Sequence, residues 1–293
     1  MYRITRKERL TLEAVLLEVE APRVARRRRA GQFVILRVDE TGERFPLTIV
    51  DSDTEAGTIT LVVQEVGTST KKLGRLEAGD GILDLIGPLG HPTEAENWGR
   101  VACLAGGIGV AEVLPVVKAV RAAGNFTQAV IGARSQNLLI LEREMRQAAS
   151  EIYITTDDGT YGRHGLVTDI LLDLINDGAV PDRVYAIGPV PMMKAVADLT
   201  RPHAIPTIVS LNALMVDGTG MCGCCRVTVG GETKFTCVDG PDFDAHRVDF
   251  RELVARQKIY LPQEKESLAR FEKMNVQRRA HPPGVYPRGM KVQ

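Results

Sequence analysis

The sequence lacks net charge, long apolar runs and a regular set of cysteines. Its 37 basic and 37 acidic residues cancel, which argues against a protein whose main partner is nucleic acid or a membrane surface. No stretch approaches the ~18 consecutive apolar residues of a membrane-spanning helix. The first residues, from Met1 to Lys7, contain no apolar core of an export signal. We therefore expect a cytoplasmic protein that binds neither nucleic acid nor membrane.

Few cysteines are present, and their number is odd. The chain has five, which do not suggest a disulfide framework. Its 293 residues are 44% hydrophobic and 25% charged, so the chain is long enough for about two domains with cores of their own. The four arginines at 26–29 are typical of a solvated loop in a neutral protein.

Residues 1–97 are predicted to form a small antiparallel β-barrel. Short segments rich in Val, Ile, Leu and Thr recur between turn signals, as they do in barrels and sandwiches. The predicted strands are 9–20, 31–38, 45–51, 57–66 and 81–86.

Residues 98–207 are predicted to form a doubly wound α/β domain with a parallel sheet. Strands at 101–105, 128–132, 152–155 and 184–187 alternate with helices at 110–123, 138–149, 166–175 and 192–200. The turn Gly106-Gly107-Ile108-Gly109 lies where the first strand meets the first helix, so its amides are placed to hold a pyrophosphate. Glu112 stands where the dinucleotide fingerprint has its third small residue, so an ordinary tight turn is the alternative.

Later strands of this domain also end in turns that suit a dinucleotide, because ligands of open α/β sheets bind at the carboxyl ends of the strands. The candidate contacts in these turns are Arg134, Asp157, Gly188, Pro189 and Met192. Arg134 ends the second strand, where an arginine suits the 2′-phosphate of NADP. Each turn taken alone is also an ordinary loop.

Residues 208–245 contain four of the cysteines among many glycines, and their spacing is the most specific signal in the sequence. It fits the plant-type [2Fe–2S] pattern C-x4-C-x2-C with a later fourth ligand, provided that an aspartate takes the first position. The candidate ligands are Asp217, Cys222, Cys225 and Cys237. A hairpin with a Gly230-Gly231 turn is predicted to return the last cysteine to the site.

Two cysteines are interpreted as packing residues. Cys224 is adjacent to a candidate ligand, and Cys103 lies inside an apolar strand. The alternative for the cysteine-rich segment is a tetrahedral zinc site made from four of its groups.

The order of barrel, α/β domain and cluster lobe resembles the ferredoxin-NADP reductase superfamily, in the branch of dihydroorotate dehydrogenase electron-transfer subunits and sulfide dehydrogenase small subunits. The segments 216–231 and 237–243 are most similar to small subunits of NADH-dependent reduced ferredoxin:NADP oxidoreductases. The resemblance covers residues 1–260. Dihydroorotate dehydrogenase electron-transfer subunits carry cysteine where this chain has Asp217, which favours the transhydrogenase.

The resemblance implies FAD in the barrel, NAD(H) in the α/β domain and a [2Fe–2S] cluster in the lobe. The implied FAD contacts are Pro46, Leu47 and Thr48 in the flavin motif, Val62, Val63 and Gln64 at the flavin ring, and Gly67, Ser69 and Thr70 at the pyrophosphate. The implied NAD(H) contacts are Gly106, Gly107 and Gly109 in the nucleotide loop, and Gly188, Pro189 and Met192 facing the nicotinamide. Phe45 occupies the position at which the flavin motif has an arginine. The NAD(H) implied by the resemblance conflicts with Arg134, which suits the 2′-phosphate of NADP.

These features predict an oxidoreductase subunit in which the cofactors carry the chemistry. NADH would exchange a hydride with FAD, and single electrons would pass through the cluster to or from a larger subunit of a ferredoxin:NADP transhydrogenase. The chain has no C-x2-C-x2-C-x3-C run, so a larger flavin and [4Fe–4S] partner is expected in a heterodimer, with ferredoxin reached through it.

Two other functions remain open. One is an electron-transfer subunit of dihydroorotate or sulfide dehydrogenase, and the other is a zinc-stabilised flavin or nucleotide sensor. Residues 246–293 are predicted to form a C-terminal helix and a basic tail that docks on the partner, with a disordered tail as the alternative.

Overall fold

The computed structural model describes residues 1–280, so the predicted docking segment from residue 281 onward lies outside the described residues. Within this range the chain folds into a barrel, an α/β domain and a smaller lobe, as the sequence predicts. No helix in the described range combines the length and the apolar character needed to cross a bilayer.

The N-terminal barrel is one antiparallel sheet in the order β6-β1-β2-β5-β4-β3-β7. Its strands are β1 (Tyr2–Arg9), β2 (Ala14–Glu20), β3 (Phe33–Arg37), β4 (Phe45–Asp53), β5 (Thr58–Gln64), β6 (Gly81–Ile82) and β7 (Asp84–Leu89), with helices α1 (Pro22–Ala25) and α2 (Thr68–Gly74). The two edge strands, β6 and β7, are consecutive in the chain, so the sheet nearly closes on itself. Alternate residues of β2 and β5 fill the interior, where Val15 lies opposite Val63 and Leu17 opposite Leu61.

Two expectations for the barrel are wrong. The predicted strand 9–20 is the end of β1, a turn and then β2; β1 was missed because its outward side chains are mostly charged and only Ile4 is fully buried. Arg28, expected in a solvated loop, is half-buried and donates to Asp51 at 2.6 Å and to Ser52 at 2.8 Å.

The α/β domain is a sheet in the order β11-β10-β9-β8-β12-β13-β16, parallel except at its last strand, β16 (Asp242–Asp244). Its strands are β8 (Arg100–Gly106), β9 (Phe126–Ala133), β10 (Glu151–Thr156), β11 (Arg163–His164), β12 (Arg183–Ile187) and β13 (Thr207–Ser210), and its helices are α3 (Gly109–Ala122), α4 (Glu142–Ala148), α5 (Val167–Asn176) and α6 (Val190–Thr200). Helix α4 begins later than predicted because the 3-10 turn Gln136–Leu138 is followed by extended backbone at Leu139 and by a left-handed backbone at Leu141, with φ of 53°. Helix α6 begins earlier, directly after Pro189.

The C-terminal part comprises β14 (Arg226–Val229), β15 (Glu232–Phe235), α7 (Thr236–Asp239), β16 (Asp242–Asp244), α8 (Phe250–Gln257) and α9 (Leu261–Ala280). The predicted hairpin is confirmed, since Gly230 and Gly231 connect β14 to β15 with φ of 61° and 83°. Strand β16 pairs antiparallel with β13. The expected boundary at residue 207 therefore falls inside β13, and the lobe is joined to the α/β sheet.

Helix α9 packs along α2 of the barrel of its own chain. The hydroxyls of Thr68 and Ser267 lie 3.0 Å apart, and Lys71 forms an ion pair with Glu272 at 2.6 Å. The described part of the segment that was expected to dock on a partner is thus a helix laid on the same subunit.

Helix α3 joins the barrel to the α/β domain. The carboxylate of Asp51 on β4 accepts a hydrogen bond from Lys118 of α3 at 2.6 Å, in addition to that from Arg28. Burial works to raise the pKa of Asp51, but the bonds from Lys118 and from the Ser52 amide lower it below its ordinary value. The barrel residues Leu16, Val50 and Val62 are buried in the same apolar cluster as α3.

The link between the lobe and the segment after the barrel is testable at Thr93. Its hydroxyl donates to the carboxyl group of Asp242 on β16 at 2.6 Å, and burial raises the pKa of Asp242. Thr93→Val removes this donor from a buried group, so we expect a loss of about 1 kcal/mol in the free energy of unfolding by chemical denaturation. Thr93→Ser keeps the hydroxyl and is the control; equal stability of the two variants would contradict this role.

Candidate functional site

A cavity of about 650 Å³ opens between the barrel and the α/β domain. Its barrel wall includes Glu13 and Gln64, and its other wall is formed by the carboxyl ends of the parallel strands and by the start of α3. The predicted site residues that line it are Gln64, Gly106, Gly107, Arg134, Asp157, Gly188, Pro189 and Met192. The fold thus brings eight predicted residues from both domains to one cavity.

The turn between β8 and α3 lies at the centre of this cavity. Gly107 has φ of 58° and faces open space, so the backbone there is accessible to a ligand. Gly109 has a packing role instead, because a Cβ atom at this position would lie 2.3 Å from the carbonyl oxygen of Ile187. The amide of Gly107 donates to Gly132 at 2.8 Å, and those of Val110 and Ala111 donate to Gly107 and Ile108. The amides of Ile108 and Gly109 have no such partner, and at the N-terminus of α3 they form an anion-binding site that fits a pyrophosphate.

The cavity extends to both sides of this turn, because β8 lies between β9 and β12 in the sheet. We call these two sides the flanks of the cavity. On the β12 side, Gly188, Pro189 and Met192 lie in the cavity that Gln64 of the barrel also lines. On the other side, Arg134 and Asp157 end β9 and β10. The cavity therefore has room for one half of a dinucleotide over each flank.

The residues that were predicted to contact the flavin ring point in different directions. Gln64 lines the cavity, and its amide has no hydrogen-bond partner among the described residues. Val62 is buried against the α/β core, whereas Val63 is fully buried in the barrel core and its side chain does not line the cavity. An unpaired amide beside an apolar wall fits the edge of a flavin ring. Pro46, Leu47 and Thr48 lie half-buried on β4 outside the cavity lining.

The turn before α2 contains the residues predicted to hold the FAD pyrophosphate, and it also lies outside the cavity lining. The Thr70 hydroxyl accepts from the Gly67 amide at 3.0 Å and donates to the Gly67 carbonyl at 3.1 Å, so it stabilises the turn itself. Ser69 has no side-chain hydrogen bond in the described part of the chain. Ser69 is therefore the predicted hydroxyl that is available to a phosphate.

Glu112 and Thr155 are two of the polar residues in the cavity that sequence reasoning did not assign to the site. Glu112 on the first turn of α3 lines it without an ion pair or a hydrogen bond among the described residues, and burial raises its pKa to about 7. Thr155 near the end of β10 is buried, and its hydroxyl has no partner. Glu112 could have been found as a lone carboxylate in an otherwise apolar helix turn. Thr155 lies in an apolar strand and left no such signal.

The half-buried carboxyl group of Glu112 predicts a pH-dependent stability. Its pKa in the folded protein lies above its ordinary value of 4.5, so the stability it contributes is complete below that pH and is lost as the pH rises through about 7. Glu112→Gln cannot ionise, and we expect it to exceed the wild type in unfolding free energy by up to about 2 kcal/mol at pH 8. At pH 5 the two proteins should be close. Denaturation curves between these pH values measure the difference; a difference independent of pH would contradict the assignment.

The cysteine-rich lobe arranges its candidate ligands as two pairs. The sulfur atoms of Cys225 and Cys237 are buried and 3.2 Å apart. The carboxylate of Asp217 accepts from the Cys222 amide at 2.8 Å and from the Thr219 amide at 2.9 Å. The bond from the Thr219 amide is the main cause of the lowered pKa of Asp217, which keeps this carboxylate ionised.

This arrangement fits a two-iron cluster. Among the described residues, no three ligating side chains stand close enough together to hold a single metal ion. A [2Fe–2S] cluster takes two protein ligands on each iron, which suits two pairs, and a carboxylate oxygen can accept hydrogen bonds and still ligate.

The loop that carries Asp217 also contacts the barrel. A Cβ atom at Gly218 would lie 2.7 Å from Ile35 of β3 and 2.8 Å from Leu89 of β7. Cys224 is half-buried, and its carbonyl accepts from Arg256 at 2.9 Å. Cys103 is fully buried in β8, as expected of a packing residue. The candidate cluster site is therefore in direct contact with the barrel.

The barrel, the nucleotide-type α/β domain and the cysteine-rich lobe define an electron-transfer protein with a ferredoxin reductase-like fold. Residues 212–249 match the iron-sulfur cluster binding domain of dihydroorotate dehydrogenase B. A homologue of the dihydroorotate dehydrogenase B electron transfer subunit from Thermotoga maritima is 44% identical over 270 residues, which cover 92% of this chain and 95% of that protein. The electron transfer subunit from Geobacillus thermodenitrificans is 36% identical over 234 residues, 77% and 88% of the two chains. The chain belongs to the family of dihydroorotate dehydrogenase B electron-transfer subunits and their homologues.

Solved structures confirm the fold. A chain of the NADH-dependent reduced ferredoxin-NADP oxidoreductase, described in connection with flavin-based electron bifurcation, matches with a TM-score of 0.88 and 41% identity, over 92% of this chain and 98% of that chain. Phthalate dioxygenase reductase matches with a TM-score of 0.56 at 17% identity over 78% and 85% of the two chains, and shares the fold. The predicted resemblance is confirmed.

Proposed function

We propose that this chain is the electron-transfer subunit of a ferredoxin:NADP oxidoreductase, in which it exchanges a hydride with NAD(H) at FAD and passes single electrons through a [2Fe–2S] cluster to or from a larger subunit. The cavity shared by the two domains carries this proposal. It joins the anion-binding turn at Gly107 to the barrel residue Gln64, so a nucleotide and a flavin can meet there.

The α/β domain would bind and orient the nucleotide. The amides of Ile108 and Gly109 would hold the pyrophosphate, while Pro189 and Met192 would bound the side of the cavity that faces the barrel. Apolar walls on this flank exclude water from the place where the hydride moves.

In the barrel, Gln64 would hydrogen-bond the flavin edge, and Ser69 with the amides of its turn would hold the phosphates. FAD supplies the conversion between hydride transfer and single-electron transfer when it is bound. Pro46, Leu47 and Thr48 on β4 and Gly67 before α2 complete the proposed FAD contacts. Val62 would support the ring through the apolar cluster beneath it.

Asp217, Cys222, Cys225 and Cys237 would hold the cluster. The contact of Gly218 with Ile35 and Leu89 places this loop directly on the barrel that would hold FAD. Electrons would therefore not need to cross solvent between the two groups.

A larger subunit is expected on the basis of what this chain lacks. The sequence contains no C-x2-C-x2-C-x3-C run for [4Fe–4S] clusters. The relatives are named electron transfer subunits, so a separate protein would contain the site with which they exchange electrons. We propose a heterodimer with a flavin and [4Fe–4S] subunit, through which ferredoxin and NADP(H) are reached.

A second candidate is the electron-transfer subunit of a dihydroorotate dehydrogenase, which the match of residues 212–249 favours. The two candidates differ in the protein that co-purifies with the chain from its native host. A [4Fe–4S] flavoprotein supports the first, and a dihydroorotate-oxidising subunit supports the second.

The cofactor content of anaerobically purified protein tests the proposal. We expect about two iron and two acid-labile sulfide per chain, with flavin absorption that bleaches when NADH is added. Cys237→Ser should lose iron while flavin bleaching by NADH persists, because the cluster and nucleotide sites are separate. Zinc without sulfide, or a protein without flavin, would contradict the proposal.

The proposal that Asp217 is a ligand predicts how the cluster responds when this residue is replaced. Asp217→Cys supplies the thiolate of an all-cysteine site, so we expect the cluster to remain and its reduction potential to shift, because ligand identity and charge set that potential. Redox titration followed by electron paramagnetic resonance measures the shift. Asp217→Ala is the control that should lower iron content, and an unchanged potential in the cysteine variant would exclude Asp217 as a ligand.

A further inference from the structure

An unpaired carboxyl group lies beside the amides that would hold the pyrophosphate of the nucleotide. Glu112 lines the cavity on the first turn of α3. It follows Gly109 by three positions and Ile108 by four, and side chains of a helix point back toward its N-terminus, over the residues three and four positions earlier. The carboxyl group of Glu112 is therefore directed toward the turn in which the amides of Ile108 and Gly109 are free.

Among the described residues, no charged group is paired with this carboxyl group. Burial is the cause that raises its pKa to about 7. The other charged residues of the cavity lie on different elements: Glu13 on the turn before β2, Arg134 after β9 and Asp157 after β10. None of them forms an ion pair with Glu112 in the described part of the chain.

Charged residues on α3 and on the elements packed against it have partners outside the cavity. These residues include Asp51, Arg100, Lys118, Glu142, Glu144 and Arg183. The charge state of Glu112 is thus set by its burial and by the ligand that enters the cavity.

A buried hydroxyl beside the same turn also indicates a polar ligand. Thr155 is 1% exposed, lines the cavity and has no hydrogen-bond partner for its side-chain oxygen among the described residues. This oxygen lies 2.9 Å from the position of a Cβ atom at Gly132, whose carbonyl accepts from the Gly107 amide at 2.8 Å. Buried polar groups are normally paired, so the surroundings of this turn are suited to a polar ligand.

A bound pyrophosphate would change the charge state of Glu112. Its phosphates are ionised at neutral pH, and a negative charge close to a carboxyl group raises the pKa of that group. The ionised carboxylate can only accept hydrogen bonds and repels a phosphate, whereas the protonated group can donate its O–H to a phosphate oxygen.

We infer that Glu112 is a proton-binding residue of the nucleotide site, whose carboxyl group takes up a proton from solvent when the dinucleotide binds and donates it in a hydrogen bond to the pyrophosphate. This role rests on the proposed function, because it requires the pyrophosphate at the amides of Ile108 and Gly109. The affinity gained in this way is complete below the pKa of Glu112 in the free protein and is lost as the pH rises through its higher pKa in the complex.

Calorimetry with ADP-ribose tests this inference without any redox reaction. The diphosphate of this probe is ionised throughout the pH range, so the probe itself releases and binds no proton. Titrations of the purified full-length protein at pH 7.5, in two buffers of different ionisation enthalpy, count the protons taken up. We expect roughly half a proton or more per ADP-ribose, and an affinity that falls about tenfold between pH 6 and pH 8.5, as linkage to a carboxyl group of this pKa implies.

Two variants assign the proton to a residue. Glu112→Gln cannot ionise, so it should take up no proton, lose the pH dependence and bind ADP-ribose about tenfold more tightly than the wild type at pH 8.5. Glu13→Gln is the matched control, because Glu13 is an exposed carboxylate of the same cavity. This variant should keep the proton uptake of the wild type.

The outcomes separate this inference from the proposed function. Binding of ADP-ribose by the wild type without proton uptake, a result that depends on no variant, would overturn the role of Glu112 while leaving a nucleotide site. Proton uptake that Glu112→Gln retains, or that Glu13→Gln loses to the same extent, would also overturn it. Absence of ADP-ribose binding at every pH would contradict the proposed nucleotide site itself, and the inference with it.

Discussion

The packing of α3 against the barrel is the contact on which the rest of the site depends. Without it, each domain would present only half of the cavity to solvent. The contact combines an apolar cluster that includes Val50 and Val62 with the charged bridge from Lys118 to Asp51. The buried apolar area contributes most of the stability, at roughly 25 cal/mol per Å². The charged bridge is partly exposed, so it sets the orientation more than the strength of the contact.

The same helix performs a second task at its N-terminus. Because Gly109 allows α3 to approach the carbonyl of Ile187 closely, the turn that carries the free amides of Ile108 and Gly109 lies in the cavity. One rigid element thus positions both the anion-binding turn and the barrel wall opposite it. The lobe is held in a similar way by β16 on β13 and by Gly218 on the barrel, so the three candidate cofactor sites belong to one connected structure.

Local sequence patterns were sufficient to predict most of this architecture. The alternation of apolar residues predicted the strands, and the paired glycines at 230 and 231 predicted a hairpin that the structure contains. Features that depend on distant residues were not predictable in this way. The pairing of β13 with β16, the helix α9 laid on α2, and the unpaired positions of Glu112 and Thr155 in the cavity arise only when segments far apart in the chain pack together. Val63 shows the same limit, because its neighbour Gln64 faces the cavity while Val63 faces the barrel core.

The central claim is that nucleotide, flavin and cluster sites form one electron path within this chain. The most direct measurement is electron paramagnetic resonance of the anaerobic isolated protein after addition of an excess of NADH, because the flavin takes two electrons and the cluster takes one. The account predicts that the flavin absorption bleaches and that the signal of a reduced [2Fe–2S] cluster appears in the same sample. Bleached flavin with a cluster that remains silent to NADH, but responds to dithionite, would contradict a connected path.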